Sequence, residues 1–189
     1  NMPAFQSTSA PFSSQYESSY QDPDLILSLN STGVGKSTDW GETWTNIEVS
    51  DGNWASINSR DISISDANPR FIWVGGYMGN FSTIHVSSDW GDSYNPVNNF
   101  TNENGLGMGT ISGIYTHPIE DSTAYVLFSY YGYPKIVKTE DLGNTWEDIS
   151  GFASLDDGLS VSSTGFPNVG VYSLLVMPHN TDIIWVGTD

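Results

Sequence analysis

Apolar and polar residues alternate in short runs along the chain, and Gly, Pro, Asn or Asp interrupts each run within a few positions. The stretch DISISDANPRFIWVGG (61–76) reads as an alternating strand, a turn carrying Asn and Pro, and a second, wholly apolar strand. The same order recurs in ISGIYTHPIEDSTAYVLFS (111–129) and VYSLLVMPHNTDIIWVGTD (171–189), with Trp73 and Trp185 at the same place in the second strand. A third strand is expected at TIHVSSD (83–89) and KIVKTED (135–141), and a fourth at WTNIEV (44–49) and WEDIS (146–150). The first such unit is legible from DPDLILSLN (22–30) onward, with its innermost strand weakly marked somewhere in 10–20. Gly and Pro punctuate the chain too often for a long helix, and β-branched and aromatic residues outweigh helix formers. The pattern predicts an all-β chain of antiparallel strands.

An internal repeat ties these units together. STDWGETW occupies 37–44, SSDWGDSY 87–94 and TEDLGNTW 139–146, so that Asp39, Asp89 and Asp141 stand 50 and 52 residues apart. In each box the Asp carboxylate and the Ser/Thr hydroxyl are suited to hydrogen-bond the backbone of their own turn. Gly41, Gly91 and Gly143 supply a positive φ, and Trp44, Tyr94 and Trp146 are expected to fold back between strands. Four antiparallel strands per roughly 50 residues is the signature of a β-propeller blade. The expected blades run about 22–50, 60–98, 110–150 and, incomplete, 170–189, which makes about three and a half, with 1–21 as a lead-in.

The three boxes resemble the Asp-box, or bacterial-neuraminidase repeat, and the resemblance covers about 22–189. It is found in sialidase propellers, xyloglucan-cleaving glycosidases, sortilin-type receptors, photosystem-assembly propellers and long secreted surface proteins of gliding, type IX-secreting bacteria. It implies a propeller in which the boxes sit at the blade periphery, so that Asp39, Asp89 and Asp141 are structural. Those families close with six to ten blades, and an open arc exposes unpaired strand edges. The residues are therefore expected to be one segment of a longer secreted polypeptide.

Charge narrows the partners. Five Lys and Arg against 22 Asp and Glu give a net charge of −17, which repels nucleic-acid phosphates and anionic membrane surfaces. Cysteine is absent, which excludes disulfides, thiolate metal sites and thiol nucleophiles. No apolar run approaches the roughly 18 residues of a membrane span. A chain with 38% hydrophobic residues has enough to bury a core, and its low lysine content with strong acidity suits an extracellular or cell-surface location.

In a propeller the loops between second and third strands, and between blades, surround the channel mouth. The former are GYMGNF (76–81) and SYYGYP (129–134). Together with Trp54, the rings of Tyr77, Phe81, Tyr130, Tyr131 and Tyr133 are candidates for an aromatic platform that binds a glycan or a surface protein. Glycoside hydrolysis requires two carboxylates about 5–10 Å apart. Asp61, Glu103, Asp156 and Asp157, with Asp51, are the acids expected on that face. The resemblance argues against catalysis by them. Xyloglucanases carry Asp-Val-Gly-Gly after the second strand where this chain has Val-Gly-Gly-Tyr (74–77), and sialidases use three arginines where only Arg60 and Arg70 exist. His85, His117 and His179 lack a metal-ligand spacing, and His117 and His179 read as turn residues. The Gly-rich run 105–109 lacks the helix or Lys of a phosphate loop. No cofactor is expected beyond, at most, a calcium ion at Asp156-Asp157-Gly158, a fragment of a calcium loop without alternating acidic ligands. The leading expectation is a non-catalytic binding or scaffold module of a larger secreted or cell-surface protein. The alternatives are part of a xyloglucanase- or sialidase-type glycosidase, and a sortilin-like peptide receptor.

Overall fold

The computed structural model describes residues 15–49, 54, 61–101, 108–152 and 161–189, and every strand or helix named within them is a β-strand. The first sheet takes β1 (Tyr16–Ser18), β2 (Ile26–Leu29), β3 (Gly33–Ser37) and β4 (Thr45–Glu48) in chain order. The second takes β5 (Asp61–Ile64), β6 (Ile72–Gly75), β8 (His85–Ser87) and β9 (Asn95–Pro96), with the two-residue β7 (Tyr77–Met78) between. After β10 (Gly109–Thr110) comes a third sheet of β11 (Gly113–Thr116), β12 (Ala124–Leu127), β13 (Ile136–Thr139) and β14 (Glu147–Asp148). A hairpin of β15 (Val171–Val176) and β16 (Ile184–Thr188) follows. All pairings are antiparallel, as short turns between consecutive strands require. Among the described residues no helix is long and apolar enough to cross a membrane.

β6 and β12 are buried on both faces because sheets pack against them from both sides. Successive residues of β12 point oppositely. Ala124 and Val126 join a core with Trp73, Met78 and Ile84 of the second sheet, while Tyr125 and Leu127 join one with Val171, Leu174 and Val176 of β15. Leu25, Leu27 and Leu29 likewise meet Ile62, Ile64, Ile72 and Val74 between the first two sheets. Three apolar layers thus alternate with the sheets, which explains the continuous apolar runs read in the second strands. The first strands β1, β5, β11 and β15 lie side by side at the inner edge. There Asp61 Oδ2 accepts from the Ile114 amide at 2.6 Å, and the Thr116 hydroxyl donates to the Ile64 carbonyl at 3.3 Å.

The repeated box forms the same turn three times. Asp39 Oδ1 accepts from the Thr43 amide and the Ser37 hydroxyl, both at 2.8 Å, and its Oδ2 accepts from the Thr43 hydroxyl at 2.6 Å. Asp89 and Asp141 repeat these bonds with Ser87 and Ser93 and with Thr139 and Thr145. The Ser37 hydroxyl in turn accepts from the Gly41 amide at 2.8 Å. Hydrogen bonds from Thr43 and Thr145 hold the Asp39 and Asp141 carboxyls below the usual range. For Asp89, partial burial opposes its charge, and the bonds from Ser93 and Ser87 outweigh it.

Glycine is not alone in the left-handed region. Trp40, Trp90 and Leu142 have φ of 60°, 65° and 56°, and the glycines that follow have 84°, 82° and 82°. Two consecutive positive φ values make the primed turn whose twist matches that of the flanking strands. The non-glycine residue costs about 1–2 kcal/mol in this conformation, and the carboxylate clamp offsets it. Replacing Asp89 with Ala should therefore lower stability by about 1–2 kcal/mol, read by thermal or urea denaturation. An effect within error would mean that strand pairing alone closes the turn. Gly143 has a second reason to be glycine, since a Cβ there would lie 2.6 Å from Val97 of the second sheet.

The box aromatics reach further than their own hairpin. Trp146 packs edge-on against Trp73 of the second sheet at 6.1 Å and donates its indole N–H to the Asn98 carbonyl at 2.9 Å. Tyr94 joins the core shared with Leu27. Trp44 instead donates to the carbonyl of its own Gly41 at 2.9 Å.

Candidate functional site

The two loops that follow second strands bring aromatic rings together on one end of the sheets. Tyr77 and Phe81 stack with centroids 4.5 Å apart and an interplanar angle of 18°. β7 pairs with β10, so Tyr77 lies opposite Thr110 and Met78 opposite Gly109. The Tyr130 ring covers Gly109, where a Cβ would come within 3.0 Å of a ring carbon. The rings of the second and third sheets therefore flank one short strand. Phe81, Tyr130 and Tyr131 are exposed, while Tyr77 and Tyr133 are half-buried.

The backbone under these rings is fixed. Asn99 Oδ1 accepts from the Gly79 amide at 3.1 Å, and its side-chain amide donates to the Gly79 carbonyl. In the other loop Asn168 Oδ1 accepts from the Gly132 amide at 2.9 Å. Lys135, fully buried, donates to the Tyr130 carbonyl and lies over the Phe152 ring at 5.4 Å. Burial pushes its ammonium down to about 8. Beside Tyr131, a cleft of about 220 Å³ is lined by Ser129, Asn168, Gly170 and Asp189.

Trp54 does not join this surface. It is buried in the first apolar layer, donates its indole N–H to the Asn30 carbonyl at 3.1 Å and meets His85 edge-on at 6.1 Å. A loop position on a channel face did not reveal that the ring turns inward, where its area is removed from water.

Of the acids expected on the ligand face, Asp61 lies among the described residues, opposite Gly75 where the Tyr77 loop begins. Asp61 lies on β5 at the inner edge, in a cavity of about 400 Å³ shared with Glu17, Asp66, Tyr115 and Leu174. Burial first, then the charges of Asp61 and Asp66, push the Glu17 carboxyl up to about 7. Burial raises Asp61 against the opposing hydrogen bonds of Ile114 and Ile62, and it raises Asp66 as well. Glu17 and Asp66 carried no motif, since one sits in the weakly marked first strand and the other in a turn. Glu103, Asp156 and Asp157, like Asp51 and Arg60, lie outside the described residues. Arg70 donates to the Ser88 carbonyl at 3.0 Å in the turn after β5, away from the rings. His117 Nδ1 accepts from the Glu120 amide at 3.0 Å, a turn role, and burial lowers its pKa. Among the described residues, no three His, Asp or Glu side chains are grouped to hold a metal ion.

No family model and no curated protein matches the chain. Solved structures do. The GH74 enzyme of Niastella koreensis superposes with a TM-score of 0.60 at 17% identity, over 92% of this chain and 25% of its own. The GH74 xyloglucanase of Xanthomonas campestris gives 0.57 at 14%, over 85% of this chain and 24% of its own. YCF48 bound to D1 peptide gives 0.55 at 14%, over 95% of this chain and 46% of its own. These neighbours are β-propellers. The chain shares the fold of a part of these propellers. It spans about a quarter of the length of the GH74 enzymes.

Proposed function

We propose that the chain is a non-catalytic binding or scaffold module of a larger secreted or cell-surface polypeptide. Its ligand surface is the ring cluster of Tyr77, Phe81, Tyr130, Tyr131 and Tyr133, and the boxes at Asp39, Asp89 and Asp141 are structural. The blades run about 22–50, 60–98, 110–150 and, incomplete, 170–189. The observation that carries the reading is the grouping of exposed Phe81 and Tyr130 around β10, on backbone fixed by Asn99 and Lys135. Flat, rigid rings with amide and hydroxyl groups nearby suit the apolar faces and the hydroxyls of a glycan. Tyr131 and the cleft beside it extend this surface toward β15.

Titration of the native polypeptide with a panel of cell-surface polysaccharides and surface proteins tests the reading. Phe81→Ala and Tyr131→Ala should each weaken binding about tenfold, the loss of one ring contact. Absence of binding across the panel would sink the ligand-surface reading. A glycosidase is the second reading, favoured by the fold likeness to GH74 enzymes. New reducing ends from xyloglucan, lost on substitution of a carboxylate such as Asp61, would establish it instead. A peptide receptor has the fold likeness to peptide-bound YCF48 in its favour, and a peptide panel decides it.

A further inference from the structure

We infer that the outward face of the β15–β16 hairpin is the seat of a further blade, carried by the same polypeptide beyond Asp189, whose box aromatic lands on Trp185. The inference rests on the longer-polypeptide part of the proposed function and identifies the contact that joins the two.

The register defines one structural position in four successive units. Leu27 pairs with Glu17, Trp73 with Ser63, Tyr125 with Tyr115 and Trp185 with Leu175, each a second-strand residue opposite its first-strand partner. Leu27 and Trp73 are 0% exposed, Tyr125 1% and Trp185 64%. What covers the first three is visible. Tyr94, the box aromatic of the next sheet, shares the core of Leu27. Trp146, again the box aromatic of the next sheet, sits against Trp73. Tyr125 packs with Val171 and Leu174 of β15. Trp185 has the same position and, among the described residues, no cover.

The surroundings of Trp185 match half of an inter-blade layer. Leu175 beside it is 56% exposed and Ile183 42%, whereas Leu174 and Val176, on the opposite face of β15, are buried against the third sheet. An exposed apolar patch of this kind marks an interface. Among the described residues, β2, β6 and β12 each pair on both edges and β16 pairs with β15 alone, leaving an open row of backbone donors and acceptors. A second copy of the chain is the competing occupant. Its net charge of −17 opposes a like-charged partner, whereas a blade tethered in the same polypeptide needs no bimolecular association.

The repeat also states what should follow. The box aspartates lie 12, 16 and 16 residues after Leu27, Trp73 and Tyr125. A fourth box, completing the blade of β15 and β16, is expected roughly ten residues past Asp189, and a fifth roughly 50 residues later supplies the aromatic for Trp185.

Hydroxyl-radical footprinting of the native polypeptide, read by mass spectrometry together with its mass in solution and its sequence past Asp189, tests the inference without a substitution. Trp40, 67% exposed on a box turn, is the internal reference. The expected result is a monomer with both boxes present and Trp185 oxidised at least about tenfold more slowly than Trp40. Trp185→Ser should then lower the melting temperature of that polypeptide by several degrees, and Trp185→Phe should restore most of it. Trp185 as reactive as Trp40 overturns the inference, as does protection that appears only in a dimer, which would make a second copy the occupant. A long polypeptide with reactive Trp185 leaves the longer-polypeptide reading standing. Protected Trp185 without glycan or protein binding sinks the ligand surface and leaves the seat intact.

Discussion

Replacing Trp73 with Ala is expected to cost about 3–5 kcal/mol, the largest effect of any single truncation in the chain. The ring is fully buried in the middle of β6 and touches two sheets at once. On one side it belongs to the second sheet, and on the other it meets Trp146 edge-on within the layer of Met78, Ile84, Ile114 and Phe128. Removal leaves a cavity between sheets whose backbones are held by their own ladders, so collapse is limited. The melting temperature should fall by roughly ten degrees or more. Trp73 Nε1 makes no hydrogen bond within the protein, so Trp73→Phe loses apolar area without stranding a partner. That variant should retain more than half of the stability lost in Trp73→Ala. A cost for Trp73→Ala below about 1 kcal/mol would mean that the blades unfold independently rather than through shared layers.

What the sequence made legible is local, and what it hid is tertiary. Strand alternation with period two and the eight-residue box both act within one hairpin, so β5, β6, β15 and β16 fall where the pattern of 61–76 and 171–189 puts them. β1 has only Tyr16, Glu17 and Ser18, three residues with no apolar alternation, and the position is set by pairing with β2. Trp146 folds over Gly143 of its own box and also reaches Trp73 of the second sheet, a contact that is not legible because the geometry between sheets leaves no trace in local spacing. Trp54 shows the same limit, since a loop residue is drawn inward by a core that the loop itself does not contain. The equivalence of their loops puts Phe81 and Tyr130 at the same end of adjacent units. The pairing of β7 with β10 that joins them is not legible, for two-residue strands lie below the reach of pattern. Glu17 of β1 meets Asp61 and Asp66 of the second sheet only through packing of first strands from different sheets.

That inner carboxylate group makes stability depend on pH in an unusual direction. In the folded chain the Glu17 carboxyl is raised from 4.5 to about 7, so between those values the folded state holds a proton that the unfolded state has released. Its contribution is full below about 4.5 and is lost as pH rises through about 7. Asp61 and Asp66, raised by burial, act in the same sense over the range just above 3.8. The box carboxyls work oppositely. Asp39, Asp89 and Asp141 are lowered below 3.8, so their hydrogen-bonded charge stabilises above that value and is lost as pH falls below it. The two sets together place maximum stability at about pH 4, where the window of the inner acids meets that of the boxes. Lowering pH from 7.5 to 5 should raise stability by about 1–2 kcal/mol, a value reduced from the full linkage because Glu17 is partly solvated. Glu17→Gln should raise stability at pH 7.5 and flatten the profile above pH 5, while the exposed Glu48→Gln leaves its shape unchanged and accounts for relief of net charge. Urea denaturation at half-unit pH steps decides it. A wild-type profile that falls below pH 7, or one that Glu17→Gln leaves unaltered, would show that the inner acids are solvated and carry no buried charge at neutral pH.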